Sequence, residues 1–276
     1  GVMVKFDRLR NNEPVPYEYV PMLGDMMTAR WSFEALAVEQ FKNNKYERNF
    51  FNDKLEIYQN DWYANFLIKG LKIDLQQCKR YKDSTAYLQK VNENYHKLNH
   101  YIDRLNELAG FGVIEEEWKK SLNNSDFDSL TAVKTEQCLD TLEKHFRYLR
   151  KAAYASKDTT EKEIGRNKLM KLHEQYENGK LKEYMLNEME EKWLIETPDK
   201  MIQKASPIYM RPLSNYGRAH FYSPYKKIGN IQIDTFWFNI IVLWIVTFSL
   251  YIALYYNLLQ KAINFAGNIR VPKKDS

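Results

Sequence analysis

The sequence predicts an all-α protein: a helical domain with antiparallel, coiled-coil-like packing, joined to one C-terminal transmembrane helix. Three observations predict it. Thr235 to Gln260, TFWFNIIVLWIVTFSLYIALYYNLLQ, carries no charged residue in a chain that is 28% charged. From Asp53 to about Ile195, apolar residues recur three and four apart, the period of a helix with one buried face. Only 10 Gly and 8 Pro interrupt 276 residues, which favours long helices over a β-sandwich or a disordered chain.

Residues 1–42 read as a membrane-proximal segment. Asn11, Asn12, Pro14 and Pro16 mark an irregular stretch. Pro21 to Phe41 then places Trp31, Ala35, Val38, Phe41 and Phe33 on an apolar helical face. This segment is too short and too charged to span a bilayer. It is either an interfacial or re-entrant helix or the first core helix.

Residues 43–204 read as the helical domain. Leu55, Tyr58, Trp62, Phe66 and Leu67 line a first helix that runs on through Leu71 and Leu75 to Cys78. Ser84 is the expected cap of a second helix. Its seam is Leu88, Val91, Tyr95, Leu98, Ile102 and Leu105, and Gly110 and Gly112 stop it. Asn123 to Asp128 is a polar turn, and Leu139, Leu142, Phe146 and Leu149 mark a third helix. Thr160 with Glu163 reads as a capping box, in which each side chain satisfies a free backbone N–H. It opens a fourth helix through Leu169, Leu172 and Tyr176. Gly179 is a bend, after which Leu181, Met185, Met189 and Trp193 resume the face. Thr197-Pro198 reads as a further cap followed by proline at the first helical position.

Residues 205–233 break the helical pattern. Pro207, Pro212, Gly217, Pro224 and Gly229 interrupt the segment, and Tyr209, Tyr216, Phe221, Tyr222 and Tyr225 fill it. The expectation is an extended aromatic connector. It is either a collar at the membrane–water interface or a loop with a hydrophobic anchor.

Residues 234–261 follow as the transmembrane helix. At about 1.5 Å per residue the uncharged run covers roughly 39 Å, against a hydrocarbon core of about 30 Å. A lone strand would leave its backbone groups unsatisfied in lipid, so the span is helical. Asn239 and Asn257 lie five turns apart on one stripe with Val246, Leu250 and Ala253. Amides in hydrocarbon seek partners and small residues allow close approach, so this face is expected to pack on other helices. The alternative is that each Asn reaches water at an interface. The short tail, residues 262–276, carries Arg270, Lys273 and Lys274, and with Lys261 it is expected on the cytoplasmic side. The chain starts at Gly1 without Met or signal sequence, so it is expected to be the C-terminal part of a longer polypeptide.

No chemistry of catalysis is expected in this chain. It lacks a phosphate loop of the GxxxxGK[ST] type, a GxSxG elbow and a Cys/His pair. His96 and His100 are four apart, but zinc needs three or four protein ligands, so they read as solvent-exposed. Glu115-Glu116-Glu117 and Glu188, Glu190 and Glu191 read as solvated charge runs. The net charge of +5 is spread over both signs, with no basic block interleaved with aromatics, so nucleic acid is not an expected partner. Cys78 and Cys138 are either joined or two small buried residues on helices. A disulfide between them would add roughly 4 kcal/mol by the chain-entropy estimate.

The stretch ARWSFEALAVEQF, Ala29 to Phe41, resembles the R-[WY]-x-F-E-A-L-x-x-x-x-F segment of ABC-2 type exporter permeases. It is most similar to the G-subfamily (White/ABCG-like) half-transporters, where this segment follows the fifth span and the sixth span ends the chain. The front 30 residues carry the likeness, and the last 50 follow it more loosely. The departure is the loop between them. Normally short, here it is a helical domain from about Asn43 to Asn230, as in bacterial, Bacteroidetes-like members.

The resemblance implies a C-terminal fragment whose preceding part holds the ATPase, with ATP and Mg, and five spans. No cofactor would bind this chain. Arg30, Trp31, Phe33 and Glu34 would form a re-entrant helix near the exit of the transport path. Phe238 and Asn239 would sit in the outer half of the last span. The helical domain would be extracytoplasmic, above that exit, as a gate or as the receptor for a periplasmic partner. A homodimer or paralogue dimer in the inner membrane would enclose the path. The alternative is a single-pass, membrane-anchored helical adaptor.

Overall fold

The computed structural model describes residues 18–112, 117–123, 125–188, 193–258, 260, 261 and 264. Helix α1 (Met22–Met26) leads through Met27 into α2 (Thr28–Lys42). Asn44 then turns the chain. Its side-chain oxygen accepts the N–H groups of Tyr46 and Glu47 at 2.9 and 2.8 Å, and its amide donates to Phe41 O at 2.7 Å. An asparagine side chain can mimic a backbone turn in this way.

The next helix is the one expected from the Leu55-to-Cys78 face. It consists of α3 (Phe51–Trp62), a π-helical turn (Tyr63–Leu67) and α4 (Ile68–Tyr81), running on without a break. A 3-10 turn at Thr85–Tyr87 follows, and α5 (Leu88–Leu108) returns along α4. Ser84 precedes that turn and makes no side-chain cap, which corrects the expected cap. Val91, Tyr95, Leu98, Ile102 and Leu105 are buried as the seam requires, whereas Leu88, the first residue of α5, is exposed. Gly110 and Gly112 have φ of +75° and +78°, a left-handed backbone that ends α5. The short α6 (Glu117–Lys120) leads to α7 (Ser129–Ile164), whose first turn is capped by Asp128 accepting Thr131 N–H at 2.6 Å.

Helix α7 runs antiparallel to the α3–α4 rod. Lys79 pairs with Glu136 and Lys72 with Glu143, the Tyr63 ring rests on Phe146, and Arg150 reaches Asp61. Leu139, Leu142 and Phe146 are buried, and Leu149 is packed against the same core. Each such buried side chain contributes about 1.5–3 kcal/mol.

Four local expectations are corrected here. Thr160 and Glu163 do not open a helix. They lie inside α7, and Thr160 Oγ1 donates back to Ser156 O at 3.2 Å, because nothing breaks the helix before Gly165 (φ +82°). The fourth helix is two: α8 (Arg166–Tyr176), which has no buried residue, and α9 (Gly179–Leu186), capped by Asn178. Gly179 begins α9 rather than bending a longer helix. Thr197-Pro198 starts no helix either. Thr197 Oγ1 accepts Lys200 N–H at 3.0 Å in a turn between β1 (Leu194–Glu196) and β2 (Met201–Gln203). Met189, the runs Glu115-Glu116 and Glu190-Glu191, residues 1–17 and the tail from 265 lie outside the described residues.

The fold is therefore mostly helical but not purely all-α. A second hairpin joins β3 (Tyr225–Ile228) to β4 (Ile231–Asp234), with Ile228 opposite Ile231. The connector is thus a folded element. It also holds a 3-10 turn at Pro207–Tyr209, and Tyr209 and Tyr222 are buried while Tyr216 is fully in solvent. Asp234 caps α10 (Thr235–Tyr255) by accepting Phe236 N–H at 3.1 Å.

Two apolar cores result. One fills the space among α3 to α7 with the Met201 side chain. The other joins α2, α3 and α9 to Ile208, Tyr209 and Tyr222. Between α4, α5 and β1 lies Lys97, which has no exposed side-chain surface. It meets Asp74 at 2.9 Å and also Glu196. Burial works against its charge, but the two carboxylates outweigh that and hold Lys97 above the ordinary lysine value.

Candidate functional site

Helices α2 and α10 pack against each other and run antiparallel. At one end Lys42 pairs with Asp234, the residue that caps α10. Toward the start of α2, the Trp31 ring meets Phe238 with centroids 6.2 Å apart, and Asn239 donates to Trp31 O at 3.1 Å.

Between the helices lies a cluster of buried charges. Arg30 and Glu34 are one helical turn apart on α2, so both face the same way. Glu34 is fully buried. Its carboxylate accepts from Lys226 Nζ at 2.9 Å, Asn239 Nδ2 at 3.0 Å and Tyr222 N–H at 3.2 Å. Arg30 approaches Glu34 at 3.8 Å and Asp25 at 3.3 Å, and its guanidinium lies 3.9 Å over the Trp31 ring. Trp31 in turn donates its indole N–H to Asp25 O at 2.8 Å. Arg218 reaches Asp25 at 3.4 Å from the rim. Phe33 stacks on Phe221 at 6.4 Å and closes the side toward the second core.

The electrostatics follow from this packing. Burial alone would raise the Glu34 carboxyl, but the Lys226 and Arg30 cations, with the Asn239 amide, outweigh it and hold Glu34 below the ordinary carboxylate value. Burial draws Lys226 below the ordinary lysine value against the pull of Glu34. His220 sits nearby, where burial pushes its imidazole down to about 4. It is neutral at physiological pH and, because a carbonyl only accepts, donates Nε2–H to Pro207 O at 2.8 Å. Arg30 Nε and Nη1 and Asn239 Oδ1 are buried without a hydrogen-bond partner among the described residues.

No family model, curated protein or solved structure matches the chain.

The geometry brings together six residues singled out from the sequence: Arg30, Trp31, Phe33, Glu34, Phe238 and Asn239. The remaining two, Ala253 on α10 and Asn257 beyond its end, lie away from this cluster. Ala253 is half-exposed and Leu250 exposed, and Asn257 takes φ +50° just past the end of α10, so it no longer continues the stripe of Asn239. Of the expected stripe, Asn239, Val246, Leu250 and Ala253 lie on α10, which ends at Tyr255 rather than near Lys261. Cys78 and Cys138 are free thiols, not a disulfide. Cys78 is buried on α4, where burial pushes its thiol up to about 12, and Cys138 sits on α7 beside Asn106. His96 and His100 are exposed on α5.

Lys226, Asp25 and His220 were not foreseen. For the hairpin that carries Lys226 a local signal exists. YKKI and IQID are separated by Gly229-Asn230, two residues with Gly first, which marks a tight hairpin. Within Tyr225–Ile228, however, two lysines stand side by side and each face of the strand carries one of them, so the burial of Lys226 is a tertiary fact. Asp25 and His220 carry no such signal.

Proposed function

We propose that this chain is the C-terminal permease part of an ATP-driven exporter. In this reading Thr235–Tyr255 is the last span, and α1 and α2 re-enter the membrane beside it. The helical domain stands outside the cytoplasm above the exit path, where it gates release or recruits a periplasmic partner. Two copies, or this chain and a paralogue, enclose the path, and ATP and Mg act on a domain outside this chain.

The observation that carries the reading is the Glu34–Asn239 hydrogen bond, which ties the Phe33-Glu34-Ala35-Leu36 segment to the candidate span. Two others support it. Among the described residues, α10 is the one helix long and apolar enough to cross a membrane, and most of its side chains are exposed. Trp237, Trp244, Phe248, Tyr251 and Tyr255 lie seven, four, three and four residues apart along its outer face, a surface poorly suited to water. Met22, Leu23, Met26 and Met27 are likewise exposed at the α1 end of the pair.

A second reading, a single-pass anchored adaptor, is favoured by there being one membrane-length helix among the described residues. The sequence of the gene upstream of the Gly1 codon separates the two. A continuous frame encoding a GxxxxGK[ST] loop and five apolar spans supports the exporter. A start codon or cleavable signal directly before Gly1 rules it out.

A further inference from the structure

The tip of the β3–β4 hairpin carries an apolar row that the rest of the described chain leaves exposed. Ile228 stands opposite Ile231 across the Gly229-Asn230 turn, and Tyr216 pairs with Ile228 from its other side. Residues directly opposite in antiparallel strands point to the same face. Tyr216, Ile228 and Ile231 therefore form one row, and they are 90%, 50% and 66% exposed. Gly217 N–H donates to Lys227 O at 2.7 Å and Gly229 N–H to Asn215 O at 2.8 Å, which holds the row together.

The row faces the side on which α10 runs. Side chains two apart on a strand share a face, so Ile228 points the same way as Lys226. Lys226 reaches Glu34, which in turn holds Asn239 in the second turn of α10. Gly217, next to Tyr216, lies so close to the Phe238 ring in the first turn that an added Cβ would stand 2.8 Å from Phe238 Cζ. The tip is thus level with the start of α10. The exposed surface continues onto α1, with Met22, Leu23 and Met26. Val20 N–H, just before α1, donates to Ala219 O at 3.4 Å, and Arg218 donates to Val20 O at 2.9 Å.

We propose that this hairpin tip is a second membrane contact, resting in the interfacial layer of the bilayer that α10 enters. The contact presupposes that α10 spans a membrane, as both readings above do. Exposed apolar side chains that stand together mark a contact surface. Tyrosine suits the membrane–water boundary, because its ring is apolar and its hydroxyl reaches water. The occupant is lipid, because the row is turned along α10 at the level where that helix becomes apolar, and Trp237 is exposed at the same level. A single span leaves the helical domain free to tilt over the bilayer, and a second contact beside it fixes the tilt.

The test is spin labelling of the full chain in phosphatidylcholine vesicles, at Tyr216→Cys, Ile231→Cys, Phe248→Cys and Tyr148→Cys in turn. The background is Cys138→Ser with the buried Cys78 kept, and it must take up no label by itself. All four replaced side chains are exposed. Collisions with oxygen, which concentrates in lipid, and with a nickel chelate, which stays in water, report the depth of each label. Phe248 lies in the body of α10 and reads the span, and Tyr148 lies on α7 and reads water. The Tyr216 and Ile231 labels are expected to collide more with oxygen than with the chelate, as at Phe248 and in reverse of Tyr148. If both read water while Phe248 reads lipid, the contact is overturned and the span stands. If both are shielded from oxygen and chelate alike, protein covers the tip and the contact is again overturned. If Phe248 also reads water, the span itself fails and the contact with it.

Discussion

Replacing Glu34 with alanine tests whether the buried charges clamp α10 to α2. The side chain has no exposed surface and serves three donors, Lys226, Asn239 and the Tyr222 N–H. Truncation leaves Lys226 and Arg30 as buried cations without their shared anion. Breaking a buried pair in this way costs about 3–5 kcal/mol. In a chain of this size each kcal/mol moves the unfolding midpoint by about 2–4 °C, so the expected loss is on the order of 10 °C. The assay is thermal unfolding of the full chain in micelles, followed by far-ultraviolet circular dichroism. The double variant Glu34→Met with Lys226→Met removes both charges and leaves Arg30 with Asp25, so it is expected to recover at least half of the loss. A drop of less than about 2 °C in Glu34→Ala would refute the clamp, as would a double variant no better than the sum of its single substitutions.

Three further outcomes are expected. Glu34 is held below its ordinary value of 4.5, so its contribution is complete above that pH and is lost as pH falls through the lower folded value; unfolding midpoints of Glu34→Gln and wild type, compared across acidic pH, should converge there. Gly217→Ala should destabilise by about 1–3 kcal/mol, because φ is +75° and an added Cβ would lie 2.8 Å from Phe238 Cζ; partial proteolysis should then separate α10 from the helical domain more readily than in wild type. Lys97→Met leaves Asp74 buried without its cation and should cost about 3 kcal/mol, read as a lower urea midpoint with an unchanged slope.

The helical seams were legible because a buried helical face repeats every three to four residues. Val91 to Leu105 and Leu139 to Phe146 lie where that spacing places them. The apolar character of Thr235–Tyr255 was equally plain, since it depends on composition alone. Helix ends were harder to read. Thr160 and Glu163 have the right residues for a cap, but the helix around them continues to the left-handed Gly165. The β3–β4 hairpin was readable from Gly229-Asn230 and was obscured by the aromatic residues around it.

What the sequence determined by itself was the buried helical seams, the uncharged C-terminal run and the four-residue spacing of Arg30 and Glu34. Only the tertiary structure decided what those two residues face. Lys226 and Asn239 are 192 and 205 residues away from Glu34 along the chain. Periodicity records which side of a helix is buried, because burial recurs within a few turns. It keeps no trace of a single ion pair closed across about two hundred residues, since that contact exists only once the hairpin and both helices have packed.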